Sequence, residues 1–201
     1  MKRQKIAFIA VLVLSMVFFG CMAVVGSADL PPAEDLPPAT VSFPLFVENA
    51  INSAPDDVLV GIGTAIRESL SQARTIAASR ARAEIARQMQ AIIVKMVEDF
   101  EAFNVVDHAD AINFLEKFSI NLSTSALTDC YITDEDRDEN DAVWNVTFIH
   151  KDDVKIELDE AVAYAKLAVP VMGSFEIESG FDEIFALVRA QALEVLLQYT
   201  L

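Results

Sequence analysis

Apolar residues recur every three or four positions between Ala73 and Met96. Ala73, Ala77, Ala81, Ile85, Met89, Ile92 and Met96 follow one another at the spacing of a single helical face. From Ala73 to Phe100 there is no glycine and no proline, and most residues are strong helix formers. The pattern predicts one long helix. Just before it, V-L-V-G-I-G-T-A at Val58 to Ala65 reads as a strand that ends at Gly61 and Gly63. Glycines at a strand end suit a close backbone approach or a positive φ. The helical face is small at its start and large at its end. Its alanines would let the helix backbone lie close to whatever it covers, most simply a sheet.

The pattern on either side is more broken. Ser42 to Asp57 mixes aromatics with turn formers and predicts a lead-in turn or short helix. Asp110 to Phe118 is a second helical patch. Leu122 to Thr133 and Ala142 to His150 are rich in Thr, Val, Ile and aromatics and predict two strands; in the second, Trp144, Val146 and Phe148 alternate with Asn145 and Thr147. Trp144 is expected to anchor a core. Between them, D-E-D-R-D-E-N-D at Asp134 to Asp141 reads as a charged hairpin connection. A further helix starts at Lys151, capped by Asp152 or Asp153, with Val154, Leu158, Ala161 and Ala165 on one face; Pro170 and Gly173 stop it. The last helix opens with S-G-F-D at Ser179 to Asp182, a capping-box-like start. It carries Phe181, Phe185, Val188, Ala192, Val195 and Tyr199 at helical spacing, and either closes over the sheet or forms an interface with a partner.

The first residues have a different character. A basic M-K-R-Q-K precedes an uncharged apolar run from Ile6 and a small-residue exit, which is an export signal. Three endings are open. F-F-G-C at Phe18 to Cys21 is similar to the lipobox of bacterial lipoproteins; cleavage before Cys21 would leave that cysteine diacylated, although Phe18 and Phe19 depart from the usual pattern. G-S-A at Gly26 to Ala28 offers an ordinary cleavage site before Asp29. Without cleavage, the 20 uncharged residues Ile6 to Val25 suffice to span a bilayer, with the positive flank held inside. Each ending sends the remaining chain outside the cytoplasmic membrane. The predicted organisation is a signal peptide or membrane anchor at 1–28, a tether at 29–41 with L-P-P-A repeated, and a folded domain at 42–201.

Charge and chemistry narrow the function. The chain carries 31 acidic and 15 basic side chains, a net charge of −16. Such a chain repels phosphates and anionic headgroups, so no nucleic-acid partner is expected. Against that background Arg67, Arg74, Arg80, Arg82 and Arg87 crowd the long helix. They form either a solvated face with partial pairing, for example Glu84 with Arg80 or Arg87, or a stripe that docks an acidic neighbour such as a second copy of the chain. Cys21 and Cys130 are too few for a disulfide framework within the domain, and His108 and His150 have no partners at ligand spacing. Asp134, Asp136, Asp138 and Asn140 alternate like the start of a calcium loop. Glu139 and Asn145, however, stand where that loop needs glycine and a bidentate glutamate. The V-G-I-G-T-A run lacks the later glycine of a dinucleotide fingerprint, and there is no P-loop and no G-x-S-x-G. No catalytic, metal-binding or cofactor-binding residue is assigned and no cofactor is expected; the one candidate site residue is Cys21, for lipid attachment.

The V-L-V-G-I-G-T-A strand, the following A-R-x-x-A-A-x-x-A-R-A-E-I-A run from Ala73 and the lead-in P-x-F-V-x-N at Pro44 to Asn49 together resemble the Lpp-twenty lipoprotein family. These are small bacterial envelope lipoproteins with relatives among flagellar basal-disc and flagellar-assembly proteins. The resemblance covers Pro44 to Ile149 and leaves a helical extension at 152–201. It implies a compact α+β domain, with one long helix packed on a small antiparallel sheet, a structural or assembly role, and no catalytic residues. The resulting expectation is a non-enzymatic, membrane-anchored envelope protein on the outer-membrane or periplasmic side. It would act by self-association or by binding a neighbouring envelope protein. The alternatives are a component of a flagellar or envelope ring, and a periplasmic small-ligand or metal-binding protein with a pocket lined by the sheet.

Overall fold

Gly61 and Gly63 lie directly beneath the long helix, and the architecture grows from that contact. The computed structural model describes residues 43–198 except 104–105, 125–129, 139 and 178–179. These fall within a single compact unit. The predicted export segment, the tether, Cys21, Ser179 and Tyr199 lie outside the described residues. In chain order the elements are α1 (Leu45–Asn52), β1 (Val58–Ala65), α2 (Leu70–Phe103), α3 (His108–Thr124), β2 (Tyr131–Arg137), β3 (Val143–His150), α4 (Lys151–Ala168), a 3-10 turn (Pro170–Met172) and α5 (Phe181–Gln198). The fold is α+β, with one long helix on a small antiparallel sheet of order β1-β3-β2.

The two faces of the sheet follow from the period of two along each strand. In β1, Leu59, Gly61, Gly63 and Ala65 face α2, while Val58, Val60 and Ile62 face away with Trp144, Val146 and Phe148 of β3. The outer face is covered by Val47 and Ile51 of α1 and by half-buried Leu193 and Leu196 of α5. Trp144 is 4 % exposed and meets Phe43 edge-on at 5.7 Å, the core anchor its pattern predicts.

α2 is one unbroken helix of 34 residues, about 51 Å long. β1, with eight residues, spans only about 27 Å. The helix therefore overhangs the sheet. Its alanine-lined start, Ala73, Ala77 and Ala81, lies on the strands. Its bulkier end, from Ile85 to Val97, builds a second core with Phe114 and Phe118 of α3, Leu158 of α4, Met172, Phe175 and Phe185 of α5.

Several boundaries differ from expectation. β1 does not end at its glycines but runs through them to Ala65, because residues without a side chain are what allow a helix to sit on that strand. Leu122 belongs to α3 rather than to a strand: Phe114, Phe118 and Leu122 form one buried four-residue stripe. The second strand starts at Tyr131 and takes in residues 134–137 of the expected connection. It is an edge strand, where charged residues are tolerated. Asp152 and Asp153 lie in the first turn of α4, where they favour the helix dipole, and the cap position is His150, without a side-chain bond. The predicted apolar face of α4 is buried as expected. α5 buries Phe181, Phe185 and Val188 and leaves Val195 at 52 % exposure.

Candidate functional site

The junction of α2 with the sheet is sealed. A Cβ on Gly61 would overlap the carbonyl oxygen of Ala81, and one on Gly63 would overlap that of Ala77. No ligand fits between backbones at that separation. Three buried polar side chains accompany the contact. Gln88 Nε2 donates to the Val60 carbonyl at 2.7 Å, and Thr147 Oγ1 donates to Asn145 Oδ1 at 2.6 Å. Asn145 and Thr147 are fully buried opposite Gly63 and Gly61 in the register, and Asn145 Nδ2 has no partner.

Both edges of the sheet are guarded. Arg80 Nη1 donates to the Thr64 carbonyl at 2.6 Å, Gln88 takes Val60, and Arg189 Nε of α5 takes Val58 at 3.1 Å. The match is geometric: eight helical residues rise about 12 Å and four strand residues about 13 Å. Arg80 and Gln88 therefore meet Thr64 and Val60 in step. Arg189 also donates to the carbonyls of Ala54 and Pro55 and pairs with Asp56 at 3.4 Å. On the opposite edge, β2 carries a bulge between Ile132 and Asp134, and Asp136 Oδ1 accepts from the Arg137 N–H at 2.7 Å. Such devices discourage strand addition.

The arginines of α2 are thus only partly a solvated face. Arg74 pairs with Glu135 of β2 at 2.8 Å, Arg87 with Glu84 at 2.6 Å as the spacing predicts, and Arg80 caps the strand edge. That last role escaped the sequence, where the strand and the helix face could not be set in register.

The acidic connection is organised by Asp138. Its Oδ1 accepts from the N–H groups of Asn140 at 2.8 Å and Ala142 at 3.0 Å, and its Oδ2 from Trp144 Nε1 at 2.9 Å. Asp141 adopts a positive φ of 61° and pairs with Arg137 at 3.2 Å. Asp138, one of the carboxylates in the calcium-like alternation, is thus occupied by its own turn. Among the described residues no group of three or more His, Cys, Asp or Glu side chains is placed to hold a metal ion.

His150 does acquire partners. The register brings the ends of three strands together, so that Tyr131 Oη lies 3.2 Å from His150 Nε2 and Asp57 Oδ2 lies 3.6 Å from His150 Nδ1. The Tyr131 and His150 rings stack at 5.4 Å. Burial, reinforced by Asp57 and Asp153, pushes the Tyr131 phenol above its ordinary value. The phenol stays protonated at neutral pH and is a poor base, and the whole cluster is partly exposed. His108 pairs with Glu101 at 2.9 Å and braces the elbow between α2 and α3. Cys130 is buried and is in no disulfide among the described residues.

The remaining unusual surface is on α4. Its buried face is Val154, Leu158, Ala161 and Ala165, yet its opposite face exposes Ile156 (55 %), Tyr164 (49 %) and Leu167 (83 %), followed by Val171 (50 %). Comparison with protein-family models, curated proteins and solved structures finds no match. Among the described residues no helix is long and apolar enough to cross a membrane.

Proposed function

We propose that this chain is an exported, envelope-anchored domain that works by binding protein rather than by catalysis. The observation that carries the reading is the double-sided apolar character of α4. A helix whose outward face shows Leu167, Ile156 and Tyr164 to solvent forfeits hydrophobic stabilisation that a partner would restore. The sealed helix–sheet junction favours protein binding over a small-ligand pocket lined by the sheet. The guarded edges direct contacts to helices rather than strands. Anchoring rests on the leader and on the resemblance to envelope lipoproteins; Cys21 would carry the lipid.

Two measurements test this. A photo-crosslinking residue placed at Leu167 in cells captures a protein partner, whereas one at exposed Glu68 does not; absence of any Leu167 adduct refutes the reading. Mass spectrometry of the mature N-terminus separates a diacylated Cys21 from a free Asp29 and an intact Met1, and only the first and last leave the domain anchored.

A further inference from the structure

Beside the exposed face of α4 lies an open groove of ≈ 320 Å³. We propose that this groove docks a cationic amphipathic helix of a partner protein; the proposal rests on the protein-binding reading above and names its site and the chemistry of its partner. The floor is apolar, built from Val162, Phe175 and Ile177, and the rim carries Asp159, Glu176 and Lys166. The floor residues are at most 3 % exposed and therefore fixed in the core, so the concavity is preformed, and the apolar surface open to a partner is that of Ala163 and of the neighbouring Ile156 and Leu167. The groove's volume suits bulky apolar side chains, at the small end of the range for bound molecules.

The groove does not end at its rim. Ala163 also lines it, and Ile156 and Leu167 lie seven residues before and four after Ala163 on the same helical face. From Ile156 to Leu167 this apolar line runs about 16 Å along α4. That is the footprint of a helix presenting anchors at i, i+4 and i+7.

Charge selects the occupant. The rim holds two carboxylates to one ammonium, exposed Glu160 lies on the same side of α4, and the chain as a whole carries −16. Long-range attraction therefore favours a helix that flanks its apolar anchors with Lys or Arg. The same field opposes a second copy of this chain and an anionic lipid surface.

The test is fluorescence anisotropy of a labelled 18-residue Leu/Lys amphipathic helix titrated with the full chain at physiological salt. The helix binds the wild type. Asp159→Lys/Glu176→Lys weakens it at least tenfold, and so does Ala163→Asp, although the latter adds negative charge. Glu48→Lys/Glu68→Lys, an equal charge change at the sheet end, shifts it less than twofold. Equal weakening by both lysine pairs would mean that binding follows net charge alone and overturns the proposal. So does equal binding of a Leu/Glu helix. A dimer of the full chain that Leu167→Asp splits would assign the face to a second copy and also overturn it. An adduct from Leu167 to a partner segment lacking Lys and Arg would defeat this proposal while leaving the protein-binding reading in place.

Discussion

Replacing Gly63 by alanine adds one methyl group, and the structure dictates where it goes. The new Cβ overlaps the Ala77 carbonyl oxygen and lies 2.6 Å from the Ala81 nitrogen and 2.9 Å from Arg80 Cβ. Two of these three atoms belong to the backbone of α2 and cannot rotate aside. Ordinary contact begins at 3.4 Å, so the Ala81 nitrogen alone requires the helix to retreat by about 0.8 Å. A gap of that order forfeits roughly a quarter to a half of each dispersion contact along the interface. Ala73, Ala77 and Ala81, at most 1 % exposed, share the loss. The retreat also stretches the bonds from Arg80 to Thr64 and from Gln88 to Val60, each contributing about 1 kcal/mol. With overpacking itself costing ~1–3 kcal/mol, the substitution should destabilise by about 3–4 kcal/mol. Urea unfolding followed by the fluorescence of Trp144, the one tryptophan, should show the midpoint falling by roughly 1 M or more. The sign is diagnostic, because at an unobstructed site the same change would stabilise by about 0.4–1 kcal/mol through the unfolded chain. An unchanged or higher midpoint refutes the close-packed junction. A Gly63→Ala/Ala81→Gly double variant should not recover, since the obstruction is main chain.

Three other perturbations probe separate features. Asp138→Ala removes the acceptor for two turn N–H groups and the buried indole, and should cost about 2–3 kcal/mol; Asp138→Asn retains the turn but loses the Trp144 bond, so its loss in urea unfolding should be smaller. Thr147→Val strands Asn145 with neither amide atom satisfied and should cost ~1–2 kcal/mol, whereas Asn145→Leu/Thr147→Val removes both partners and should be neutral or stabilising by thermal melting; a double variant worse than the single would contradict the buried-pair assignment. The raised phenol of Tyr131 means that the folded state holds this proton more tightly than the unfolded chain does. Its stabilisation is fully present below the ordinary tyrosine value of about 10 and is lost as pH climbs through the raised folded value. Tyr131→Phe should abolish that alkaline component of the melting-temperature profile, and an unchanged alkaline slope would count against the Asp57 and Asp153 environment.

How much of this was legible in the sequence depends on the range of the interaction involved. The face of α2 could be read from its own spacing, and so could the alternation that buries Trp144. Both are local patterns, and both were reinforced by burial. Leu122 reads as strand because its β-rich neighbours outweigh a four-residue stripe starting at Phe114, whose partners on α2, α4 and around Phe175 lie far away in sequence. The second half of β2, residues 134–137, reads as a loop because of its charges, and an edge strand accepts them. The polar pairings were the least accessible: Arg80 with Thr64 and Tyr131 with His150 are created by register and by helix placement across many residues. The outward apolar stripe of α4 was present in the sequence, but which face of the helix lay inside had to be known before the other became conspicuous.

Because α2 lines both the small-residue contact with the strands and the bulky cluster around Phe114 and Phe175, it serves as a common spine. Neither half can melt while the other stays intact, since each would strip the other's wall. The domain should therefore come apart in one cooperative step.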